Sequence, residues 1–239
     1  MAGVCQGLVW FVKQLLPPAC PLCLRSFPEK WTEPFCADCL SGFRPLPEAR
    51  CPVCALPYPA GSHSSHRCGR CTVNPPSFTK VYPLGLYQHQ LREAIHQFKF
   101  NQKVGLDRPL AKLLNRTIVD LTATLIVPVP LHRKRLQQRS YNQALLLARE
   151  LARLKKLPLA RDLLQKTVET PAQQELTARE RERNLKRAFQ VKGTLDGERI
   201  LLVDDVLTTG ATAVACSRTL LAAGAAEVQV AVLGRALIG

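Results

Sequence analysis

The segment Ile200-Leu201-Leu202-Val203-Asp204-Asp205-Val206-Leu207-Thr208-Thr209-Gly210-Ala211-Thr212 concentrates residue types that do chemistry. Four aliphatics in a row read as a buried parallel strand. Two adjacent carboxylates follow where that strand should end. A Thr-Thr-Gly-Ala-Thr loop comes next, then a helix-like run over Ala213–Ala223 that can start at Thr212. Open α/β sheets bind ligands at the carboxyl ends of their strands. A glycine-containing loop at a helix N-terminus offers free N–H groups and a positive dipole end to a phosphate. Acids beside a phosphate repel it unless they hold something else. The paired hydroxyls of a sugar, or Mg²⁺, are their natural partners.

Over thirteen positions this segment resembles the phosphoribosyl pyrophosphate (PRPP) signature of type I phosphoribosyltransferases. The resemblance implies that Asp204 and Asp205 hold the ribose hydroxyls and help place Mg²⁺, as the catalytic pair. It implies that Thr208, Thr209, Gly210, Ala211 and Thr212 hold the 5′-phosphate. A strand end with an Asp-Asp turn and an N-capping threonine is the plainer reading, and it does not account for the complete pattern.

Other elements must bring partners to this segment. Residues 72–80 read as a linker, followed by a strand over Val81–Tyr87 and a helix over Gln88–Phe98. Leu91, Ala94, Ile95 and Phe98 share one face of that helix, with Lys99 just beyond it. Leu125-Ile126-Val127 is a second buried strand, which the prolines at 128 and 130 should end. A basic loop (His132, Arg133, Lys134, Arg135, Arg139) and a helix over Tyr141–Leu154 follow. A cationic loop after a strand is a second anion site, and Arg133 and Arg139 are the candidate ligands of a pyrophosphate. Residues 166–187 turn polar and read as a lid over a charged ligand, with Lys166, Gln173, Arg179, Arg183 and Asn184 as its candidate contacts. Glu198–Val203 and Glu227–Leu233 are further strands, joined through the Ala213–Ala223 helix as a right-handed crossover.

Eight of the ten cysteines form Cys-x-x-Cys pairs: Cys20/Cys23, Cys36/Cys39, Cys51/Cys54 and Cys68/Cys71. The first and third pairs both read Cys-Pro-x-Cys, so the arrangement is an internal repeat. Each half holds a tetrahedral set of soft ligands suited to Zn²⁺. The intervening segments are Pro-rich and poor in apolar residues, so the metal must stabilise them, by on the order of 10 kcal/mol in such modules. Sequential pairing, with Cys20, Cys23, Cys36 and Cys39 on one ion and Cys51, Cys54, Cys68 and Cys71 on the other, is favoured by the repeat; a cross-braced arrangement is the alternative. Iron–sulfur or redox use fits four regular pairs less well. His63 and His66 are expected in solvent, since cysteines fill both sites. Cys5 and Cys216 are expected to be small buried residues.

The 239 residues suit one or two domains, and 46% hydrophobic content is ordinary. The formal charge of +15 is strongly basic. Two zinc–tetrathiolate sites at net −2 each lower it to about +11. Such a chain meets phosphates, nucleic acid or anionic membranes. No apolar run reaches the roughly 20 residues of a membrane span. Residues 1–17 read as an amphipathic helix (Leu8, Phe11, Val12, Leu15) instead of a signal peptide, and the cytoplasm is the expected compartment.

Paired zinc-ribbon cysteines ahead of a PRPP-type domain resemble the ComF family, the competence-associated, phosphoribosyltransferase-like proteins. Further matching motifs are Tyr87…Lys99-Phe100, Val127-Pro128-Val129-Pro130-Leu131, Arg139-Ser140-Tyr141-Asn142-Gln143 and Thr170…Gln173…Leu176…Arg179…Arg183-Asn184…Phe189. The family loop usually reads Arg-Gly-Phe-Asn-Gln; here Ser140 and Tyr141 replace the Gly and the Phe. The resemblance implies an α/β fold, a type I phosphoribosyltransferase-like parallel sheet with flanking helices, plus an N-terminal double zinc-ribbon module. The expected division is an N-terminal helix over 1–17, ribbons over 18–73 and the phosphoribosyltransferase-like domain over 80–239. It also implies PRPP with Mg²⁺, two structural Zn²⁺, and a part in DNA uptake or utilisation with single-stranded DNA or competence proteins as partners. The sequence names no base acceptor and so does not fix whether transfer occurs. The alternative is a non-catalytic single-stranded nucleic-acid binder with PRPP as regulator, using Trp31, Phe35, Phe43 and Tyr58 as stacking residues; those aromatics are more often the core of a small module.

Overall fold

A computed structural model describes residues 18–28, 31–59, 61–62, 64–100, 103–168 and 188–237. The expected N-terminal helix, Cys5, His63 and the lid contacts Gln173, Arg179, Arg183 and Asn184 lie outside these residues.

Four parallel strands form the centre: β1 (Lys80–Leu86), β2 (Leu125–Pro128), β5 (Arg199–Leu207) and β6 (Glu227–Arg235), in the order β1-β6-β5-β2. A two-stranded antiparallel ribbon, β3 (Leu164–Lys166) with β4 (Phe189–Val191), stands apart and brackets the expected lid. The helices are α1 (Ala37–Ser41), α2 (Gly69–Val73), α3 (His89–Phe100), α4 (Asp107–Thr117), α5 (Arg133–Arg139), α6 (Gln143–Lys155) and α7 (Ala211–Ala222).

The strand pleat divides the core in two. Leu201 and Val203 of β5, with Ala231 and Leu233 of β6, face α3, α4 and α6. Ile200 and Leu202, with Val228, Val230 and Val232, face α7 and the β3–β4 ribbon. Both faces are covered, which is why these strands read as unbroken aliphatic runs. Pro83 is accommodated because β1 lies at the sheet edge.

Several boundaries differ from the sequence expectation. β5 does not stop at Val203; it runs through both aspartates to Leu207, held to β6 as far as the Leu207–Arg235 pair. Pairing with β6 carries the strand past the aspartates, and the Asp205 N–H, Lys99 and Lys166 reduce without cancelling the cost of burying Asp204. β2 includes Pro128, whose missing N–H is not required at that position. The expected basic loop is the helix α5. α6 starts at Gln143, where Asn142 accepts from the Ala144 and Leu145 N–H groups. α7 starts at Ala211, one residue earlier than expected, with Gly210 as its N-cap.

The cysteine repeat is visible bond by bond. Leu24 N–H donates to Cys20 and Ala55 N–H to Cys51; Cys20 N–H donates to Arg25 and Cys51 N–H to Leu56. Leu24 and Ala55 both adopt positive φ, at 64° and 55°, one residue past the second cysteine of their pairs. Cys36 and Cys68 cap one-turn helices. The ribbons are not free modules, however. Cys20, Leu22, Phe35 and Cys39 join the core on the α3–α4–α6 face, whereas Ala55 joins the core on the α7 face. Between them Arg44 accepts from Leu86 N–H at the end of β1, at 2.9 Å. The apolar support that the short ribbon segments lack is supplied by the sheet.

Gly224, after α7, has φ +108°, and a Cβ there would lie 2.2 Å from the Leu195 carbonyl oxygen. Gly224→Ala combines left-handed strain with a backbone clash, so it should destabilise by about 2–4 kcal/mol. Thermal melting should show a fall of several degrees; an unchanged transition would refute this packing.

Candidate functional site

Because β5 is extended through residues 204 and 205, its two carboxylates leave opposite faces of the pleat. Asp205 shares the face of α3, and its Oδ2 is 2.9 Å from Lys99 Nζ. Asp204 shares the face of α7 and the β3–β4 ribbon, where the charge of Lys166 and the thiol of Cys216 act on it. Burial, then the neighbouring Asp205 charge, push Asp204 up to about 7; the Asp205 N–H, Lys99 and Lys166 oppose this. Lys166 itself is pulled down by burial and by Arg135, with Asp204 opposing. Burial also holds Cys216 protonated. Lys99 thus pairs directly with Asp205 and also acts on Asp204, to which Lys166 adds a second positive charge from the other face.

Lys99 is assigned no role by the sequence motif Tyr87…Lys99-Phe100 alone. It follows an apolar stripe (Leu91, Ala94, Ile95, Phe98) that docks α3 on the sheet, so the next cation falls at the strand ends. Its position is fixed by a second motif. Tyr141 Oη donates to the Phe98 carbonyl, and Gln143 Nε2 donates to the Lys99 carbonyl at 3.2 Å. The Arg139 guanidinium lies 4.7 Å from the centroid of Phe100. Arg139, an expected pyrophosphate contact, thus rests on an aromatic face, and Arg133 is exposed at the start of α5. Ser140 has φ +64°, a left-handed conformation. That is the conformation a glycine at this position would take without strain.

Beyond β5, Thr208 and Thr209 are exposed, while Gly210, Ala211 and Thr212 are half-buried. Gly210 has φ +81°, and a Cβ there would meet only Leu207 Cδ1, at 3.9 Å. The turn is consequently open on its outer side. The N–H groups of the first turn of α7 lack intrahelical acceptors, as at any helix N-terminus; the Gly210 cap has no side chain to cover them, and the Ala211 N–H donates to Thr209 Oγ1 at 3.4 Å. A cavity of about 760 Å³ lies nearby, between the second ribbon (Pro47, Leu56, Tyr58) and Leu86 and Leu237 at the strand ends.

The eight paired cysteines form two sets in sequential pairing: Cys20, Cys23, Cys36 and Cys39, and Cys51, Cys54, Cys68 and Cys71, each with sulfurs within 4.8 Å of one another. The Cys23–Cys36 and Cys54–Cys68 sulfurs are 3.5 and 3.7 Å apart. A tetrahedron of Zn–S bonds near 2.3 Å has an edge of about 3.8 Å, so the sets fit zinc. Burial raises Cys20 and Cys51, but backbone hydrogen bonds outweigh it and bring both to about 7; burial pushes Cys39 and Cys71 up. Four thiolates this close are tolerated only around a cation.

The ribbon aromatics are occupied. Phe35 is fully buried against Phe43, with centroids 5.1 Å apart, and Trp31 Nε1 donates to the Phe35 carbonyl. Tyr58 stacks on the exposed His66 at 4.4 Å. Among the described residues no helix is long and apolar enough to cross a membrane.

The sheet, the loop at the end of its central strand and the ribbon pair define a phosphoribosyltransferase-type α/β domain carrying a double zinc ribbon. Residues 141–237 match the phosphoribosyl transferase domain family and residues 11–72 the double zinc ribbon domain family. Competence protein F of Haemophilus influenzae is 32% identical over 242 residues, spanning 97% of this chain and 95% of that protein. DNA utilization protein YhgH of Escherichia coli is 36% identical over 194 residues, spanning 78% and 84%. Competence protein ComFC of Bacillus subtilis is 28% identical over 213 residues, spanning 81% and 80%. Among solved structures, glutamine PRPP amidotransferase of B. subtilis aligns with a TM-score of 0.42 and 18% identity, over 58% of this chain and 30% of that one, too loosely to carry weight. The chain belongs to the ComF family.

Two expectations follow. Metal analysis should find two zinc ions per chain; a single ion would contradict the paired sets. Asp204 titrates near 7 in the fold against 3.8 ordinarily, so between those values the fold keeps a proton that the unfolded chain has released. Stability should therefore fall as pH rises through that window and level off above it. Asp204→Asn should flatten this dependence and raise stability at pH 8 by at least about 1 kcal/mol, the worth of one pKa unit. Parallel melting-temperature profiles of mutant and wild type would overturn the assignment.

Proposed function

We propose that this protein binds PRPP with Mg²⁺ at the carboxyl end of β5 and acts in the uptake or utilisation of DNA. The observation that carries the binding reading is the open, glycine-capped turn over Thr208–Thr212, set directly after Asp204 and Asp205. In this reading the N–H groups and hydroxyls of the turn take the 5′-phosphate. Asp205 and Asp204 take the ribose hydroxyls. The carboxylates are a donor set suited to a hard divalent cation, and Lys99 already stands against one of them as a cation would. Bound Mg²⁺ would supply charge neutralisation for the pyrophosphate.

The basic elements suit the remaining charge. Arg135 on α5 acts on Lys166 of β3, which in turn acts on Asp204, so cations gather on the face where a pyrophosphate would need them; Arg133 opens the same short helix. Transfer chemistry is the further step of the proposal: the bond from the sugar C1 to pyrophosphate breaks, nearby carboxylates favour the positive charge that develops, and an acceptor nitrogen attacks C1. The lid over 166–187 would exclude water.

The part in DNA handling is supported by relatives named for competence and DNA utilization, and by the net charge of +15. That charge also suits a purely DNA-binding role. Internal use of Phe35, Phe43 and Trp31 counts against the ribbons as a base-stacking platform. A cytoplasmic setting accords with this role.

Titration calorimetry with PRPP and Mg²⁺ tests the site. Wild type should bind, and Asp204→Asn/Asp205→Asn should lose about a hundred-fold or more, the worth of two charge-assisted hydrogen bonds. Equal affinity of the two proteins would refute the reading.

A further inference from the structure

Arg235, the last residue of β6, is only 2% exposed. A buried guanidinium must be compensated by its surroundings. Its hydrogen bonds run to main-chain carbonyls: Nε donates to Cys54 at 2.9 Å, and Nη1 donates to Leu207 at 3.1 Å, Thr208 at 2.8 Å and Ala236 at 2.5 Å. Two of these carbonyls open the candidate phosphate turn. A third belongs to a cysteine of the second metal set.

This arrangement orients the turn. A trans peptide points its C=O and the following N–H in opposite directions. With the Leu207 and Thr208 carbonyls drawn onto the guanidinium, they cannot swing into the mouth of the turn, where they would repel a phosphate. The Thr209 N–H is then directed away from Arg235. The Leu207 carbonyl is doubly held, since it also accepts from Ala236 N–H at 3.0 Å. The guanidinium adds a fixed positive charge beneath an anion site.

The same guanidinium reaches into the second ribbon. Cys54 lies in the tight Cys51–Cys54 turn, which the sulfurs of Cys68 and Cys71 close from the other side. Metal in that set fixes where the Cys54 carbonyl stands. The first set packs instead on the α3–α4–α6 face, through Cys20, Leu22, Phe35 and Cys39. Only the second is joined through Arg235 to the phosphate turn.

We infer that Arg235 is the positioning residue of the phosphate turn, and that metal in the second cysteine set, acting through Cys54, governs how firmly that turn is held. The inference rests on the sugar-phosphate reading of Thr208–Thr212.

The test is hydrogen exchange over residues 205–214, followed by mass spectrometry in the zinc-loaded full chain, together with ribose 5-phosphate binding. Arg235→Lys should keep two zinc ions, exchange about ten-fold faster there and bind ribose 5-phosphate about ten-fold more weakly, the scale of one lost charge-assisted hydrogen bond. Unchanged exchange in Arg235→Lys overturns the inference, whether or not the sugar phosphate binds. Faster exchange in a protein whose wild type ignores ribose 5-phosphate removes the sugar-phosphate reading and leaves the positioning role standing. Should Arg235→Lys fail to fold, Cys71→Ser and Cys23→Ser answer in its place, each losing one zinc. Faster exchange at 205–214 is expected in Cys71→Ser, and around residues 33–40 in Cys23→Ser. Equal exchange at 205–214 in these two variants overturns the metal link.

Discussion

Two like charges on consecutive residues of a buried strand are the constraint around which this fold is arranged. Burial and the adjacent Asp205 charge both work against ionisation of Asp204 in that position. The pleat separates them by sending one to each face of the sheet, and a lysine from a different element meets each face. Lys99 comes from the end of α3, and Lys166 from the end of β3. α3 is anchored by its apolar stripe, and its last carbonyls are gripped by Tyr141 and Gln143. Motifs far apart in sequence therefore serve one electrostatic end.

Much of this was legible in the residues. The aliphatic runs of β5 and β6, the glycine turn and the sequential cysteine sets follow from spacing and residue type alone. The stripe on α3 predicted its buried face residue by residue. What the sequence did not reveal depends on contacts between distant segments. The continuation of β5 through Asp204 and Asp205 runs against the ordinary aversion of acids for a buried strand; it is permitted by partners that come from α3 and β3. The segment after β2 reads as a loop because Leu136 is the one apolar residue among its charged and polar neighbours, yet Arg133–Arg139 closes a short helix. The role of Arg235 had no local signal, since its acceptors are main-chain atoms up to 181 residues away.

The ribbons illustrate the same division. Spacing identified the metal sets, and the shortage of apolar residues argued that metal must stabilise them. The structure adds that each set is seated on a different face of one sheet, by Leu22 and Phe35 on one side and Ala55 on the other. The boundary between ribbons and domain is thus a boundary in sequence, and the hydrophobic interior continues across it.

The contact between Lys99 and Asp205 also bears on which ligands could arrive. A cation approaching that carboxylate would have to displace an ammonium group already 2.9 Å away. Whatever approaches Asp205 must therefore offer Lys99 a negative group in exchange, since an ammonium stripped of its carboxylate in so enclosed a position is costly.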